Sequence, residues 1–463
     1  MITASVFANK RYAVLGLARS GAAAAEALIA SGAQVTVWDR QDVARAAFQG
    51  RCDIADPLEL DLTGFAGVVV SPGVPLNTHP IAGHAARHGV PVIGDIELFA
   101  LARAEMVPHK VVGVTGTNGK STTVALIHHI LHMANLPSVL GGNIGEPIMA
   151  QKPLASNEHG QGVYVLELSS YQIDLTFSLN CDVAALTNIT PDHLDRYDGF
   201  DAYAASKARL FALQSAHHLA VFGVTAEPAG SVLKHETARR DQGCAHAVRL
   251  DALRELQQQW PTLQGPHNLE NVAVAIAVAE ELGVKPAQWQ HALPRFRNLP
   301  HRMERVCEEE GVLFINDSKA TNTASSAPAL AAFAPHPSIH GGTPRVHWIV
   351  GGLAKEEGLG ECAEQLGNVV AAYTVGEAGP QFAALLDGKI AKVEPCELVS
   401  EAVSRARQAA KPGDVVLFSP ACASFDQFRD YEKRGEHFRQ LVGVIADCSV
   451  DCSPAPFYKD EAA

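Results

Sequence analysis

The run Gly113-Val114-Thr115-Gly116-Thr117-Asn118-Gly119-Lys120-Ser121-Thr122 sets glycines, one lysine and several hydroxyls between an apolar strand pattern and a helix pattern. Such a run can hold a polyphosphate. Glycines let backbone N–H groups face the phosphates, Lys120 reaches the β and γ groups, and the Ser121 hydroxyl holds magnesium. The usual spacing G-x-x-x-x-G-K-[ST] would need Gly at Val114, whereas the glycines fall at 113, 116 and 119. Glu167, in Leu166-Glu167-Leu168-Ser169-Ser170, is an acid at a strand end; it is a surface group by default, and beside the loop a magnesium ligand, since Mg²⁺ prefers hard oxygens and substrate phosphates. His193, in Asn188-Ile189-Thr190-Pro191-Asp192-His193, and Lys207, in Ser206-Lys207-Ala208-Arg209, would by default be solvated side chains. Lys319 and Lys355 likewise read, taken singly, as solvated lysines.

These residues need a frame that carries them at strand ends. Strand patterns at 12–15 and 34–38 flank Gly16-Leu17-Ala18-Arg19-Ser20-Gly21 and an Ala-rich helix to about Ala30, and the second strand ends in Asp39. That order is the layout of a nucleotide-binding unit, with Ala18 where the dinucleotide fingerprint has Gly, and it is equally the layout of a tight β–α turn. A strand at 67–70 runs into Ser71-Pro72-Gly73-Val74-Pro75. Further strand patterns lie at 110–114, 162–168, 182–186, 313–316, 347–350 and 415–419, alternating with helical ones, and a closing helix runs from about Asp426 to Asp447. The alternation predicts an α/β chain of mostly parallel sheets covered on both faces, with ligands at the strand C-terminal ends. The punctuation divides it into residues 1–107, 108–305 and 306–447. A tail, 448–463, is expected to be disordered.

The chain has 463 residues, 47% hydrophobic and 19% charged, enough apolar material for large cores. Its net charge of −13 comes without a Lys/Arg run, so nucleic acid is not an expected partner, while a local cluster of cations can still bind an anion. Met1 to Arg11 lacks the apolar core of a signal peptide and no stretch reaches membrane-span length, so no membrane association and a cytoplasmic protein are expected. Nine scattered Cys without a C-x-x-C pair read as reduced thiols.

The loop variant Thr115-Gly116-Thr117-Asn118-Gly119-Lys120-Ser121 resembles that of the Mur ligases and the related folylpolyglutamate synthases, and the resemblance extends over nearly the whole chain. It implies a Rossmann-like N-terminal domain for a UDP-sugar, a central P-loop ATPase-like domain and a Rossmann-like C-terminal domain for an amino acid. It further implies that ATP lies on Gly116, Thr117, Asn118, Gly119, Lys120, Ser121 and Thr122. Asn268 and Asn271 would stand on the adenine side, Arg302 on phosphate and Asp317 on ribose. Two magnesium ions are implied, with Ser121, Glu167, His193 and Lys207 as ligands and Lys120 beside the reacting phosphate. In the family the lysine matching Lys207 is carbamylated, which turns a cation into an oxygen donor.

For the N-terminal domain the resemblance implies Ser20 at the diphosphate, Asp39 at the uracil, and Ser71, Gly73 and Asn143 at the sugar and linker. Asp317-Ser318-Lys319-Ala320-Thr321-Asn322 resembles the version that adds D-glutamate, with Lys319, Thr321, Lys355, Ser424, Phe425 and Tyr431 as its contacts. The family commonly has Leu at the position of Phe425 and Phe at that of Tyr431. The implied reaction adds D-glutamate to UDP-N-acetylmuramoyl-L-alanine through an acyl phosphate, giving ADP and phosphate, in a cytoplasmic monomer that makes a peptidoglycan precursor. A sibling ligase for another amino acid, or a P-loop ATPase that forms no bond, are the competing expectations.

Overall fold

The computed structural model describes residues 1–155, 162–335 and 341–446, and their strands form three sheets. Strands β1 (Arg11–Leu15), β2 (Gln34–Trp38), β3 (Asp53–Ile54), β4 (Phe65–Val70) and β5 (Val92–Ile93) pair in parallel in the order β3-β2-β1-β4-β5. The second sheet is also parallel throughout. It uses β6 (His109–Thr115), β7 (Ser138–Gly142), β8 (Gly162–Glu167), β9 (Val183–Leu186), β10 (Leu219–Phe222) and β11 (Ala245–Ala247) in the order β11-β10-β9-β6-β8-β7. The near-continuous Val, Leu and Ala of these strands is what burial on both faces demands. β6 lies between β8 and β9, where the strand order reverses; an open α/β sheet leaves its crevice there.

The third sheet, order β12-β13-β17-β14-β15-β16, comprises β12 (Glu304–Glu309), β13 (Val312–Asn316), β14 (Val346–Gly351), β15 (Val369–Val375), β16 (Val393–Glu397) and β17 (Val415–Phe418). β12 pairs antiparallel with β13 and forms one edge, with Glu304, Arg305, Glu308 and Glu309 along it; β16 forms the other and carries Pro395. Alternate residues serve two cores. Trp348 and Val350 belong to one, Ile349 to the other, as the two-residue strand period requires.

The chain packs into two compact units, Met1–Leu253 with Glu270–Leu293, and Arg254–Leu269 with the chain from Pro294 onward. Within the first unit one continuous apolar cluster joins the two sheets, from Ile2 and Val14 through Ile96 and Phe99 to Tyr164 and Leu186. Phe99 meets the Tyr164 ring edge-on at 5.1 Å, and Glu97 accepts hydrogen bonds from the Phe177 and Ser178 backbone N–H groups.

One expectation needs correction. The closing helix spans Tyr431–Ile445 and does not begin at Asp426, because the Asp430 carboxylate caps it by accepting from the Lys433 N–H, while the preceding residues turn back on Ser424. Cys52, Cys181, Cys244, Cys362, Cys396 and Cys422 are free. The expected tail, 448–463, lies outside the described residues. Among the described residues no helix is long and apolar enough to cross a membrane.

Candidate active site

The loop from Gly116 to Gly119 leaves the end of β6 and enters the helix Lys120–Met133. Gly119 takes φ +84°, and a Cβ there would stand 2.3 Å from Asn271 Oδ1, so both backbone and neighbour require glycine. The β9 exit holds the loop from outside. Asn188 O accepts from Thr117 N at 2.9 Å, Asn188 Oδ1 from Asn118 N at 2.9 Å, and the Thr187 hydroxyl donates to Asn118 O at 2.6 Å. Asn271 Oδ1 accepts from the Thr123 hydroxyl at 3.2 Å behind the loop.

The Gly116 carbonyl receives two lysines. Lys120 Nζ donates to it at 2.8 Å and to Thr117 O at 2.8 Å; Lys207 Nζ donates to it at 2.7 Å. Lys207 comes from the helix Gly199–Ala212, is only 1% exposed, and rests 4.6 Å over the Tyr203 ring. Burial above all, with the Lys120 charge adding to it, pushes its amine down to about 6, so the neutral form dominates at pH 7. On the other side of the loop the Ser121 hydroxyl donates to Glu167 Oε2, both groups being buried, and Asn143 Nδ2 donates to Glu167 Oε1 at 3.0 Å. A hydroxyl and a carboxylate at the foot of a phosphate loop are a hard-oxygen set suited to Mg²⁺ carried by phosphates. Among the described residues no group of three or more His, Cys, Asp or Glu could hold a metal ion.

His193 stands in a left-handed conformation, φ +54°, half exposed, with its N–H on Asp192 Oδ1 at 2.9 Å. Its ring lies 5.2 Å from Tyr171 and 6.4 Å from Tyr203, the ring on which Lys207 rests, and the Tyr203 hydroxyl meets Thr117 Oγ1 at 3.2 Å. Burial raises the hydroxyls of Tyr171, Tyr197 and Tyr203, keeping them neutral.

In the first sheet, two of the candidates support one turn. Asp39 Oδ2 accepts from Leu17 N at 2.7 Å, and the buried Ser71 hydroxyl donates to Gly16 O at 2.8 Å. Gly21 approaches so closely that a Cβ would lie 1.9 Å from Gly16 O, which retains the third-glycine role of the dinucleotide fingerprint despite Ala18. Ser20 opens the helix Arg19–Ala30 half-buried, and Gly73 is exposed.

The second unit gathers the others. Asp317 is buried and accepts from Met303 N at 3.1 Å and the Ser419 hydroxyl at 2.7 Å; burial outweighs these bonds and pushes its carboxyl up to about 7. Arg302 sits between His301 (φ +63°) and Met303 (φ +45°), two left-handed residues held by Glu304, Asn298 and Asp317. Asn268 donates to Gln264 O at 3.0 Å. Lys319 Nζ lies 3.8 Å over the Tyr431 ring, and Lys355 Nζ reaches Thr321 Oγ1 at 3.5 Å. Ser424 is buried, whereas Phe425 is 71% exposed.

Sequence reasoning missed Arg434. Buried in the helix Tyr431–Ile445, it donates to Ser318 Oγ and O and to Cys422 and Ala423 O at 2.9–3.1 Å, tying the Lys319 turn to the Ser424 turn. Burial lowers it to about 10, still charged at pH 7. An arginine in the first turn of an otherwise apolar helix face is the signal that could have found it. Also missed were the loop-holding roles of Thr187 and Asn188 and the Tyr203 platform.

The sequence model of the Mur ligase middle domain matches residues 114–246, and that of the Mur ligase glutamate ligase domain matches residues 301–422. The chain is 60% identical over 453 residues to the UDP-N-acetylmuramoylalanine–D-glutamate ligase of Novosphingobium aromaticivorans, covering 98% of this chain and 99% of that protein. It is 56% identical over 447 residues to the protein of the same name from Sphingopyxis alaskensis, covering 96% and 100%. In fold it is similar to the solved MurF ligase of Thermotoga maritima in complex with ADP, at TM-score 0.57 and 16% identity over 96% of each chain.

Gly119→Ala forces a side chain into φ +84° at a strain of about 1–2 kcal/mol, before the contact with Asn271 is counted. Calorimetric titration with ADP should show at least a roughly tenfold weaker complex than the unsubstituted chain; equal affinity would mean the loop does not cradle phosphates.

Proposed function

The chain belongs to the Mur ligase family, and from that premise we propose that it joins D-glutamate to UDP-N-acetylmuramoyl-L-alanine with ATP, giving ADP and phosphate in peptidoglycan precursor synthesis. The end-to-end likeness to ligases named for D-glutamate carries this reading. The turn that presents Lys319 and Thr321, with Lys355 on Thr321, supports it as a place for two carboxylates.

The alanyl carboxylate would attack the γ-phosphorus while the bond to the β,γ-bridging oxygen breaks and ADP leaves. The D-glutamate amine then attacks the acyl carbon, loses a proton, and expels phosphate as the amide forms. Backbone N–H groups of residues 117–121 orient the phosphates, and Lys120, now folded onto Gly116 O, extends to meet the charge gathering on the transferred group. Ser121 and Glu167 would hold one magnesium ion; His193 and a carbamylated Lys207 would hold a second. These ions neutralise phosphate charge when bound. Arg302 would meet phosphate, Asp317 the ribose, and Asn268 and Asn271 the adenine side. Ser20, Asp39, Ser71, Gly73 and Asn143 would receive the UDP-sugar, and Ser424, Phe425 and Tyr431 the amino acid. Residues 1–107, 108–305 and 306–447 would act as the three corresponding domains, in a cytoplasmic monomer.

A neutral amine is what carbon dioxide attacks, so Lys207 should carbamylate above about pH 6 and fail to do so as falling pH protonates it. With ¹³C-bicarbonate, a carbamate resonance should appear at pH 7.5, fade toward pH 5.5, and be missing in Lys207→Ala. Its persistence in Lys207→Ala would remove this lysine from the site.

Lys319→Ala should raise KM for D-glutamate by roughly 10- to 100-fold, the scale of one charge-assisted contact, with KM for ATP within about twofold. Product mass spectrometry on the unsubstituted chain, offered D-glutamate beside L-alanine and a diamino acid, decides the function. A product from another amino acid in preference to D-glutamate would overturn it.

A further inference from the structure

The segment that carries His193 reaches back to the first sheet through one arginine. Arg196 N donates to His193 O at 2.9 Å, closing the turn. Its guanidinium then leaves the turn altogether. Nη2 donates to Val74 O at 2.9 Å and to Pro72 O at 3.5 Å, and the group lies 4.3 Å over the Tyr171 ring. Beside it, Asn77 Nδ2 donates to Asp195 O at 2.9 Å. Tyr171 in turn stacks on Tyr197 at 5.9 Å with an interplanar angle of 10°, and touches the His193 ring.

Two side chains thus cross-link the loop Ser71–Asn77, where β4 ends, to the turn that presents His193. Both ends of that link are site elements. Pro72 and Val74 flank Gly73 and follow Ser71, while His193 shares the Tyr203 platform with Lys207. Arginine suits the position because one rigid planar group can serve carbonyls at its edge while its face lies flat on an aromatic ring, a fixed geometry that the compact, flexibly tethered ammonium of lysine does not reproduce. We propose that Arg196 is a positioning residue that registers the loop holding the nucleotide-sugar substrate against the His193 turn, setting the acyl carboxylate in line with the phosphate loop. This rests on the ligase reading above and adds to it the part that ties substrate binding to chemistry. A displacement of about 1 Å at a reacting group is enough to cost on the order of a hundredfold in rate.

Steady-state kinetics of Arg196→Lys and Asn77→Ala, with ADP binding measured separately by titration, test it. Arg196→Lys should raise KM for UDP-N-acetylmuramoyl-L-alanine and lower kcat, each by roughly tenfold, while ADP affinity stays within about twofold because the phosphate loop is held from β9. Asn77→Ala should shift the same two constants in the same direction by less, and the double variant should fall short of the product of the single effects. Unchanged constants in Arg196→Lys, or ADP affinity lost in parallel with the sugar substrate, overturn the positioning role. If Arg196→Lys does not fold, Asn77→Ala decides alone: unchanged constants overturn the role. A wild-type chain that forms no product overturns the ligase reading and this role with it; wild-type turnover with unaltered variants overturns the role alone.

Discussion

Two lysines donate to one carbonyl. The convergence of Lys120 and Lys207 on Gly116 O is the constraint around which the first unit is arranged. Burial above all, with the Lys120 charge adding to it, makes Lys207 yield its proton. The outcome is a division of labour between chemically identical side chains. Lys120, at the helix entrance, spans the Gly116 and Thr117 carbonyls; Lys207, beneath the loop, reaches the first of them as a neutral amine. That division needs the loop in one conformation, which is why Thr187 and Asn188, some seventy residues further along the chain, supply bonds to it.

The phosphate loop was legible in the sequence because its chemistry is local: glycines, lysine and serine follow one strand and open one helix. The strands at 34–38 and the helix ending at Met133 were legible for the same reason, as uninterrupted periodic runs. Lys207 was different. Its neighbours Ser206, Ala208 and Arg209 describe a solvated helix, and only the packing of that helix beneath Gly116 makes the lysine buried. Arg434 and Arg196 were harder to find, since most of their partners are backbone carbonyls of distant turns, and a carbonyl leaves no mark in a sequence; only the apolar helix face around Arg434 offered a signal. The closing helix began late because Asp430, which reads as one more charged residue, competes successfully as its cap.

Several polar groups read as ligand contacts turn out to carry structure. Asp39 and Ser71 hold the Gly16 turn, and Asp317 holds Met303 and so the strained backbone around Arg302. A group used this way arrives already oriented, with its entropy of ordering spent in folding and not in binding.

The borders of the third sheet matter beyond the site. A sheet that ends in bare strands invites another molecule to continue it. Here one border is closed by an antiparallel strand dense in glutamate, the other by a strand in which Pro395 offers no N–H. A sheet so edged can crowd against its own copies without templating a shared ribbon.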